Sequence, residues 1–380
     1  MMIIRKVVPA LAGALFTLVS GTATLAPASA AELVYGSWPP AGTYINKVAL
    51  PEVFKRIEAE TKGAIKWRLV PGGQLANAQA TFQAVTDGLM QGGFGISTYV
   101  PNLIPSVNTI YRTIVFGDDV VAASGAALET FTLNCPSCLA EARKLNLVPL
   151  SGWTTSPYYL ACRTPISKMS DLKGKRVNIS GTSPALMLLA DAVPINVTLI
   201  EAVPLLNKGG LDCTLGAHAW LKTYGYADVV KHITDYPLGL SGPAIGLMIN
   251  RTTWNGFTRE QKFVHLRQAA YFSAGEAIGQ FMDESDAILK DVMETKGVKI
   301  VKANQAEFDT LAKKFVAEQR QQNIADAKGF GVADPAAIID AYDRARTKWA
   351  GLSKGIGRDV GKFTEVIWRE VYSKVDADRF

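Results

Sequence analysis

Apolar residues recur along the chain with the spacing of short strands and helices in alternation. Leu50, Val53, Phe54 and Ile57 follow the i, i+3, i+4, i+7 spacing of one helix face. Residues 65–70 alternate apolar and polar side chains, as a half-buried strand does. This alternation of strand and helix predicts an α/β fold. Further predicted strands are residues 146–150, 158–163, 175–180, 196–200, 211–216, 229–234 and 244–250.

The pattern changes to helical towards the C-terminus. Residues 258–294 predict one long helical region, with Gly275 and Gly279 as its weak points, and residues 306–327 and 335–349 predict two more helices. We therefore expect two α/β lobes and a helical tail. The expected boundaries are 31–154 for lobe I, with part of 240–260 returning to it, 155–239 for lobe II, and 258–380 for the long helix and C-terminal helices packing on both lobes.

Residues 1–30 have the three parts of a secretory signal peptide. A basic start without acidic residues precedes an apolar run at 7–19, and Ala-Ser-Ala at 28–30 is an A-x-A cleavage site. The apolar run is shorter than the roughly 18 residues that a membrane-spanning helix needs. We expect cleavage near Ala30, directly after it or one residue later, and export to a bacterial periplasm.

Composition and charge narrow the class of protein. The 380 residues are 48% hydrophobic and 19% charged, which excludes a disordered chain. The formal net charge is +6 and the pI about 9.0. Loss of the signal peptide removes Arg5 and Lys6 and leaves a net charge of +4, spread without clusters. We therefore expect no nucleic-acid partner.

The sequence lacks the motifs of common enzyme chemistry. It has no nucleophile elbow, phosphate-binding loop, dinucleotide-binding glycine motif or H-E-x-x-H. The three histidines, at 218, 232 and 265, lack the spacing of a metal site. We expect no catalysis, no cofactor and no metal. His218 follows a predicted buried strand and is a candidate ligand contact, with a structural histidine as the alternative.

The four cysteines leave their pairing open. Cys135 and Cys138 form a C-x-x-C without a thioredoxin-like strand before it, which favours a structural disulfide or two ordinary thiols over a redox site. Cys162 and Cys213 lie on predicted strands, and each is either a free buried thiol or the partner of the other.

Five short motifs follow one another between the first predicted strand and the long helix. They are ETKGAIK at 60–66 with PGGQL at 71–75, AVTDG at 84–88, PI at 165–166 with SDLKGKRV at 170–177, LD at 211–212, and LMIN at 247–250 with Trp254, Thr258 and Gln261. In this order, after a signal peptide, they resemble the substrate-binding proteins of tripartite ATP-independent periplasmic (TRAP) transporters, the DctP-type family.

The resemblance implies a two-lobe periplasmic binding protein fold with hinge strands and a long connecting helix. It implies that the lobes close on one small organic ligand, such as an organic acid, and that the protein delivers it to an ion-gradient-driven TRAP permease. Three alternatives remain: the binding component of an ABC or tripartite-tricarboxylate system, a binding protein that reports to a sensor kinase, and an exported enzyme. We expect a monomer, or a dimer through the helical tail.

The sequence departs from the family where the ligand is expected. The family places an Arg at the end of the DLKG motif, where its guanidinium clamps a ligand carboxylate. Asn178 occupies that position here and cannot supply a forked cation. Arg176, on the same strand face, is either a substitute clamp or a solvated side chain. Apolar residues also replace the family's polar ones after Asp212, which favours a less polar or less charged ligand.

Aromatic side chains are predicted at strand ends beside the expected cleft. Trp38 follows the first strand, Trp153 and Thr155 lie at the crossover into the second lobe, Tyr158 enters the next strand, and Trp220 follows the strand that ends at 216. We expect these residues to contact the ligand, with core packing as the alternative.

Overall fold

The computed structural model describes residues 32–179 and 183–378. The predicted signal peptide and its cleavage position lie outside the described residues. In these two ranges no helix is both long and apolar enough to cross a membrane. The described chain forms two α/β lobes with a helical C-terminal region, which confirms the predicted fold class.

The strands of the described chain form two sheets. They are β1 (Glu32–Gly36), β2 (Lys66–Val70), β3 (Gly92–Ile96), β4 (Leu147–Trp153), β5 (Tyr159–Cys162), β6 (Arg176–Asn178), β7 (Val193–Ile195), β8 (Cys213–Gly216), β9 (His232–Thr234), β10 (Ala244–Asn250) and β11 (Lys299–Val301). The first sheet has the order β2-β1-β3-β10-β4 and the second the order β11-β9-β5-β8-β6-β7.

Helices cover both sheets. The α-helices are α1 (Leu50–Glu60), α2 (Thr81–Thr86), α3 (Pro105–Tyr111), α4 (Val120–Leu133), α5 (Pro136–Lys144), α6 (Met169–Leu172), α7 (Pro184–Leu188), α8 (Leu199–Asn207), α9 (Ala219–Thr223), α10 (Tyr226–Val229), α11 (Arg251–Asn255), α12 (Arg259–Gly275), α13 (Ser285–Lys296), α14 (Gln305–Gly329), α15 (Pro335–Leu352) and α16 (Val360–Glu370). The π-helical segment Ile45–Ala49 precedes α1, and the π-helical segment Glu276–Glu284 joins α12 to α13.

Strand β10 returns from late in the chain to the interior of the first sheet. It is antiparallel to both β3 and β4, whereas β1 is parallel to β2 and β3. All of its residues are buried, with α2 and α12 packed against it. A strand covered in this way reads as a continuous apolar run, which is why its sequence predicts it well.

The second sheet contains a disulfide and a strand that the periodicity misses. Cys162 on β5 lies opposite Cys213 on β8, and the two form a disulfide. The other disulfide joins Cys135 to Cys138 at the start of α5. Strand β11 pairs in parallel with β9 inside the region predicted to be helical. This strand is too short to carry a periodic signal.

The prediction of a strand at residues 196–200 is wrong. The strand in this region, β7, ends before it, and α8 begins at Leu199. Thr198 and Glu201 form a capping box: the Thr198 amide donates to the Glu201 carboxylate at 2.9 Å, and the Glu201 amide donates to Thr198 Oγ1 at 3.4 Å. These bonds satisfy amide groups at the helix start and so fix it within an otherwise β-favouring sequence.

Two crossover segments run side by side between the sheets and form the hinge. The Thr155 amide donates to the Ser241 carbonyl at 3.1 Å, and the Tyr158 amide donates to the Gly239 carbonyl at 2.8 Å. The long helical region bridges the lobes as well, because α12 packs on β4 and α13 packs on α9. The π-helical segment Glu276–Glu284 therefore lies between the two lobes.

The C-terminal helices also touch both lobes. Helix α14 contacts α7 of the second lobe and α3 of the first, and α15 packs along α4. The Trp349 ring lies directly over Gly125, where any side chain would collide with it. Trp349 Nε1 donates to the Glu129 carboxylate at 2.7 Å, which anchors the tail to the first lobe.

Candidate functional site

A small cavity lies between the lobes. The first lobe contributes Trp38 and Phe94, the hinge contributes Trp153 and Thr155, and the second lobe contributes Trp220. The π-helical segment Glu276–Glu284 supplies another part of the wall, and the cavity volume is about 40 Å³. A larger depression of about 430 Å³ lies elsewhere, between α4, α15 and the hinge. We take the small cavity as the site, because its wall contains aromatic side chains from both lobes together with residues of the hinge.

Aromatic rings dominate the cavity wall. Trp38 stacks on Phe94 with ring centroids 5.5 Å apart, and Phe94 stacks on Trp153 at 5.8 Å. On the side of the second lobe, the Trp220 ring meets Tyr224 edge-on at 6.5 Å. These rings make much of the wall apolar, which suits a planar or compact apolar group of a ligand.

Two polar atoms of the wall are buried without hydrogen-bond partners among the described residues. They are the indole Nε1 of Trp38 and the Oγ1 of Thr155. A buried polar group without a partner costs roughly 1–3 kcal/mol. Their position on the wall makes them available to a ligand: Trp38 as a donor and Thr155 as a donor or acceptor.

A buried acid lies next to the cavity. Glu276 is fully buried, and neither carboxyl oxygen has a hydrogen-bond partner in the described part of the chain. Burial, and secondarily the charge of Glu284, raises the pKa of Glu276 well above its ordinary value. Burial also raises the pKa of Tyr224, a lining residue, and the Glu276 charge adds to that shift.

The sequence profile of DctP, described as bacterial extracellular solute-binding protein, family 7, matches residues 36–323. The chain belongs to this family. The match confirms the prediction of a TRAP-type solute-binding protein, and DctP proteins are receptors rather than enzymes. No curated protein matches the sequence.

Solved TRAP solute-binding proteins share the fold at low sequence identity. One from an unidentified marine microbe, in complex with 3-hydroxybenzoate, has a TM-score of 0.75 at 17% identity, covering 85% of this chain and 99% of that one. One from Bordetella bronchiseptica, with bound mandelate, has a TM-score of 0.69 at 22% identity, covering 83% and 99%. One from Desulfovibrio salexigens has a TM-score of 0.67 at 20% identity, covering 84% and 97%.

In this DctP protein, the predicted aromatic candidates lie together. Trp38, Trp153, Thr155 and Trp220 all line the cavity. Tyr158 lies behind Trp220, with ring centroids 5.3 Å apart. Their roles as ligand contacts stay predictions.

Arg176 and Asn178 do not line this cavity. The Arg176 side chain donates twice to the Asp212 carboxylate, at 3.0 and 3.1 Å, and the guanidinium lowers the pKa of Asp212. Asn178 is fully buried, and its Oδ1 accepts a hydrogen bond from the Val197 amide at 3.3 Å. The Arg176 guanidinium, which the sequence suggests as a substitute clamp, is thus already paired with Asp212 in the second lobe.

His218 also lies outside the wall. Its ring stacks on Tyr159 with centroids 4.1 Å apart, and burial lowers its pKa to about 4. His218 is therefore neutral at pH 7. Its Nε2 is buried without a hydrogen-bond partner among the described residues.

Sequence reasoning missed Phe94, Tyr224 and Glu276. Phe94 lies between glycines and Tyr224 in the turn that follows the short helix α9, so neither carries a periodic signal. Glu276 had a usable signal, since it is a single acid within the otherwise uncharged stretch 269–281. An acid among small and apolar helical residues is expected to be buried, and buried acids concentrate at functional sites.

Proposed function

We propose that this protein captures a small organic solute in the cavity between its lobes and delivers it to an ion-gradient-driven TRAP membrane permease. The main observation behind this proposal is that side chains of both lobes and of the hinge line the same cavity. A ligand there touches both lobes, so ligand binding favours the closed arrangement. The closed lobes would then form the surface that the permease recognises.

The proposed ligand contacts are the lining residues Trp38, Trp153, Thr155 and Trp220, with Tyr158 supporting Trp220 from behind. Stacked rings favour flat or compact apolar groups, and Trp38 Nε1 favours a ligand oxygen. The related proteins with bound 3-hydroxybenzoate and mandelate support a small organic solute as the ligand. We propose binding without catalysis, so the ligand should be released chemically unchanged.

The proposed organisation keeps the boundaries expected from the sequence. Lobe I comprises residues 31–154 with part of 240–260, and lobe II comprises residues 155–239. The region 258–380 packs on both lobes. We also propose periplasmic export with cleavage after Ala30 or one residue later, which the intact mass of the exported protein would test.

A thermal-shift screen of the exported protein against a broad library of small organic compounds tests the function. A ligand at a hundredfold excess over its Kd should stabilise the protein by about 2.7 kcal/mol. Trp38→Phe keeps an apolar ring but removes the indole donor, and it should weaken binding about tenfold. Trp368→Phe, in α16 away from the cavity, is the matched control. If no library compound stabilises the protein, the proposed function is wrong.

Transport assays distinguish delivery to a TRAP permease from the two alternatives, an ABC system and an exported enzyme. Vesicles containing a TRAP permease should take up the ligand only with this protein and an ion gradient. Uptake that requires ATP would favour an ABC system, and chemical conversion of the ligand would favour an exported enzyme.

A further inference from the structure

The cavity wall is poor in positive charge. Among the described residues that line it, none is Lys, Arg or His. Arg176 is paired with Asp212, and Arg112, in a neighbouring depression between the lobes, is paired with Asp326 at 2.6 Å. A carboxylate in this cavity would lack a cationic partner on the described wall, and burying an unpaired charge is costly.

Glu276 begins the π-helical segment that forms part of the cavity wall, although its own side chain is not one of the lining residues. It precedes the lining residue Phe281 by one turn of the π-helical segment. It follows Phe272 by one turn, and the Phe272 ring meets the lining residue Trp153 with centroids 5.2 Å apart. The Glu276 charge also acts on the lining residue Tyr224. The unpartnered Glu276 carboxyl is therefore close enough to the wall to interact electrostatically with one of its residues.

The aromatic wall suits a positive charge. Trp38, Phe94 and Trp153 stack on one another and cover their shared faces, whereas Trp220, on the side of the second lobe, meets its neighbouring rings tilted or edge-on. Aromatic faces attract ammonium groups, and the attraction grows when the cation is desolvated. The Trp38 indole N–H in addition requires an acceptor, which a ligand oxygen would supply.

We propose that the cavity takes a small organic cation that carries a hydrogen-bond-accepting oxygen, with Glu276 as its counter-ion. This inference rests on the proposed solute-binding function and adds the charge of the solute. It agrees with the loss of the family's carboxylate clamp at Asn178, and it gives the buried Glu276 carboxyl a partner.

Binding of a cation should release a proton. Burial raises the pKa of Glu276 and so favours its protonated form before the cation enters. The cation favours the carboxylate, so the proton leaves to solvent as the ligand binds, and affinity rises with pH. The titratable groups on the segment, on the elements that contact it and at their ends include Tyr44, Lys47, Glu129, Lys222, Tyr224, Arg259, Glu260, Lys262, His265, Arg267, Tyr271, Asp283, Glu284, Asp286, Lys290, Asp291, Glu294 and Lys296. The Glu276 charge also acts on Tyr35 of β1. Glu284 acts on Glu276 directly, and its own pKa is raised by burial.

Sets of compounds that differ mainly in charge test the inference. One set is benzylammonium, benzyl alcohol and benzoate. The other is choline and its uncharged carbon analogue, in which a tert-butyl group replaces the trimethylammonium group. We expect the cations in these sets, and in the wider library, to bind at least about tenfold more tightly than their neutral and anionic partners. Calorimetry in phosphate and in Tris should give different apparent enthalpies for the cation, because the buffer takes up the released proton.

Variants of Glu276 distinguish a role as counter-ion from a role in packing. Glu276→Gln keeps the shape and should weaken cation binding at least about tenfold, remove the buffer dependence and leave neutral compounds unaffected. Glu284→Gln, on the same segment, is the control and should not weaken cation binding. Urea unfolding of both variants checks that each is folded.

The outcomes distinguish this inference from the proposed function. If benzoate or another acid binds more tightly than the cations, or if Glu276→Gln leaves cation binding unchanged, the cation inference is overturned and the solute-binding function stands. If no compound of any charge binds, both are overturned.

Discussion

Two buried acids in this protein have opposite surroundings. Glu129, between the first lobe and the C-terminal tail, accepts hydrogen bonds from Lys348 Nζ at 2.8 Å and from Trp349 Nε1 at 2.7 Å. Glu276, beside the cavity, is more deeply buried and has no hydrogen-bond partner within the described part of the chain.

The indole groups of Trp349 and Trp38 differ in the same way as the two acids. Trp349 donates to Glu129, whereas Trp38 Nε1 lacks an acceptor among the described residues. The tail interface is therefore complete within the protein, and the cavity has polar groups left for another molecule. Buried polar groups normally find partners during folding, so a group left unpaired points to something that binds later.

The largest effect is expected at the tail interface. Trp349→Ala removes a fully buried indole over Gly125 and takes a donor from Glu129, so the free energy of unfolding should fall by about 3–5 kcal/mol. Urea denaturation measures the change, with the less buried Trp368→Ala as control. Ligand affinity of the folded fraction should stay the same, and a loss of affinity would contradict the separation between the two regions.

Neutralising each acid should then show which one has a structural partner. Glu129→Gln weakens a charge-assisted contact with Lys348 and should cost about 1–3 kcal/mol. Glu276→Gln keeps the shape and breaks no hydrogen bond within the described residues, so it should change stability by less than about 1 kcal/mol without ligand. Denaturation at pH 7 measures the unfolding free energy of both variants. Equal losses would contradict the proposed difference between Glu129 and Glu276.

The pH dependence of stability should have opposite signs at the two regions. The raised pKa of Glu276 means that the folded protein keeps a proton that the unfolded chain loses. Its contribution is therefore fully present below the ordinary glutamate pKa and is lost as pH rises, by at most about 1.4 kcal/mol per pH unit. The difference in unfolding free energy between wild type and Glu276→Gln should fall between pH 5 and 8. A difference that does not change with pH would show that the pKa of Glu276 is not raised.

At the tail, hydrogen bonds from Arg369 and then Lys348 lower the pKa of Glu370 to about 2. The stabilising contribution of Glu370 is present above the ordinary glutamate pKa and is lost as pH falls towards 2. Glu370→Gln should therefore reduce acid destabilisation and leave the slope above pH 5 unchanged. Thermal unfolding from pH 2.5 to 5 measures it.

The smallest effect is expected at Arg176. Its pair with Asp212 is partly exposed, so Arg176→Gln should change stability little. Ligand affinity should also stay unchanged, because Arg176 does not line the cavity. Calorimetry with the best ligand, beside Asn178→Ala, checks this. If Arg176→Gln abolishes binding while Asn178→Ala does not, Arg176 is the ligand clamp after all.

The sequence alone predicted the fold class, the family and four of the residues that line the cavity. Signal-peptide composition, apolar periodicity and motifs such as PGGQL are local properties, readable without knowing which distant residues meet. Trp38, Trp153 and Trp220 were found in the same way, because rings at strand ends of an α/β protein tend to gather at the cleft. The prediction from apolar periodicity was wrong at residues 196–200, because the capping box at Thr198 begins a helix there.

Tertiary structure decided the partners of the polar groups. Arg176 and Asn178 were equal candidates in sequence, and only the contact between Arg176 and Asp212 shows that the guanidinium is already paired. The pairing of Cys162 with Cys213 was an open alternative until β5 and β8 lay side by side. Glu129 and Glu276 are both single acids in uncharged helical stretches, yet one meets Lys348 and the other has no hydrogen-bond partner among the described residues. Burial and pairing depend on residues far apart in the chain, so only the folded protein distinguishes a satisfied acid from one that awaits a ligand.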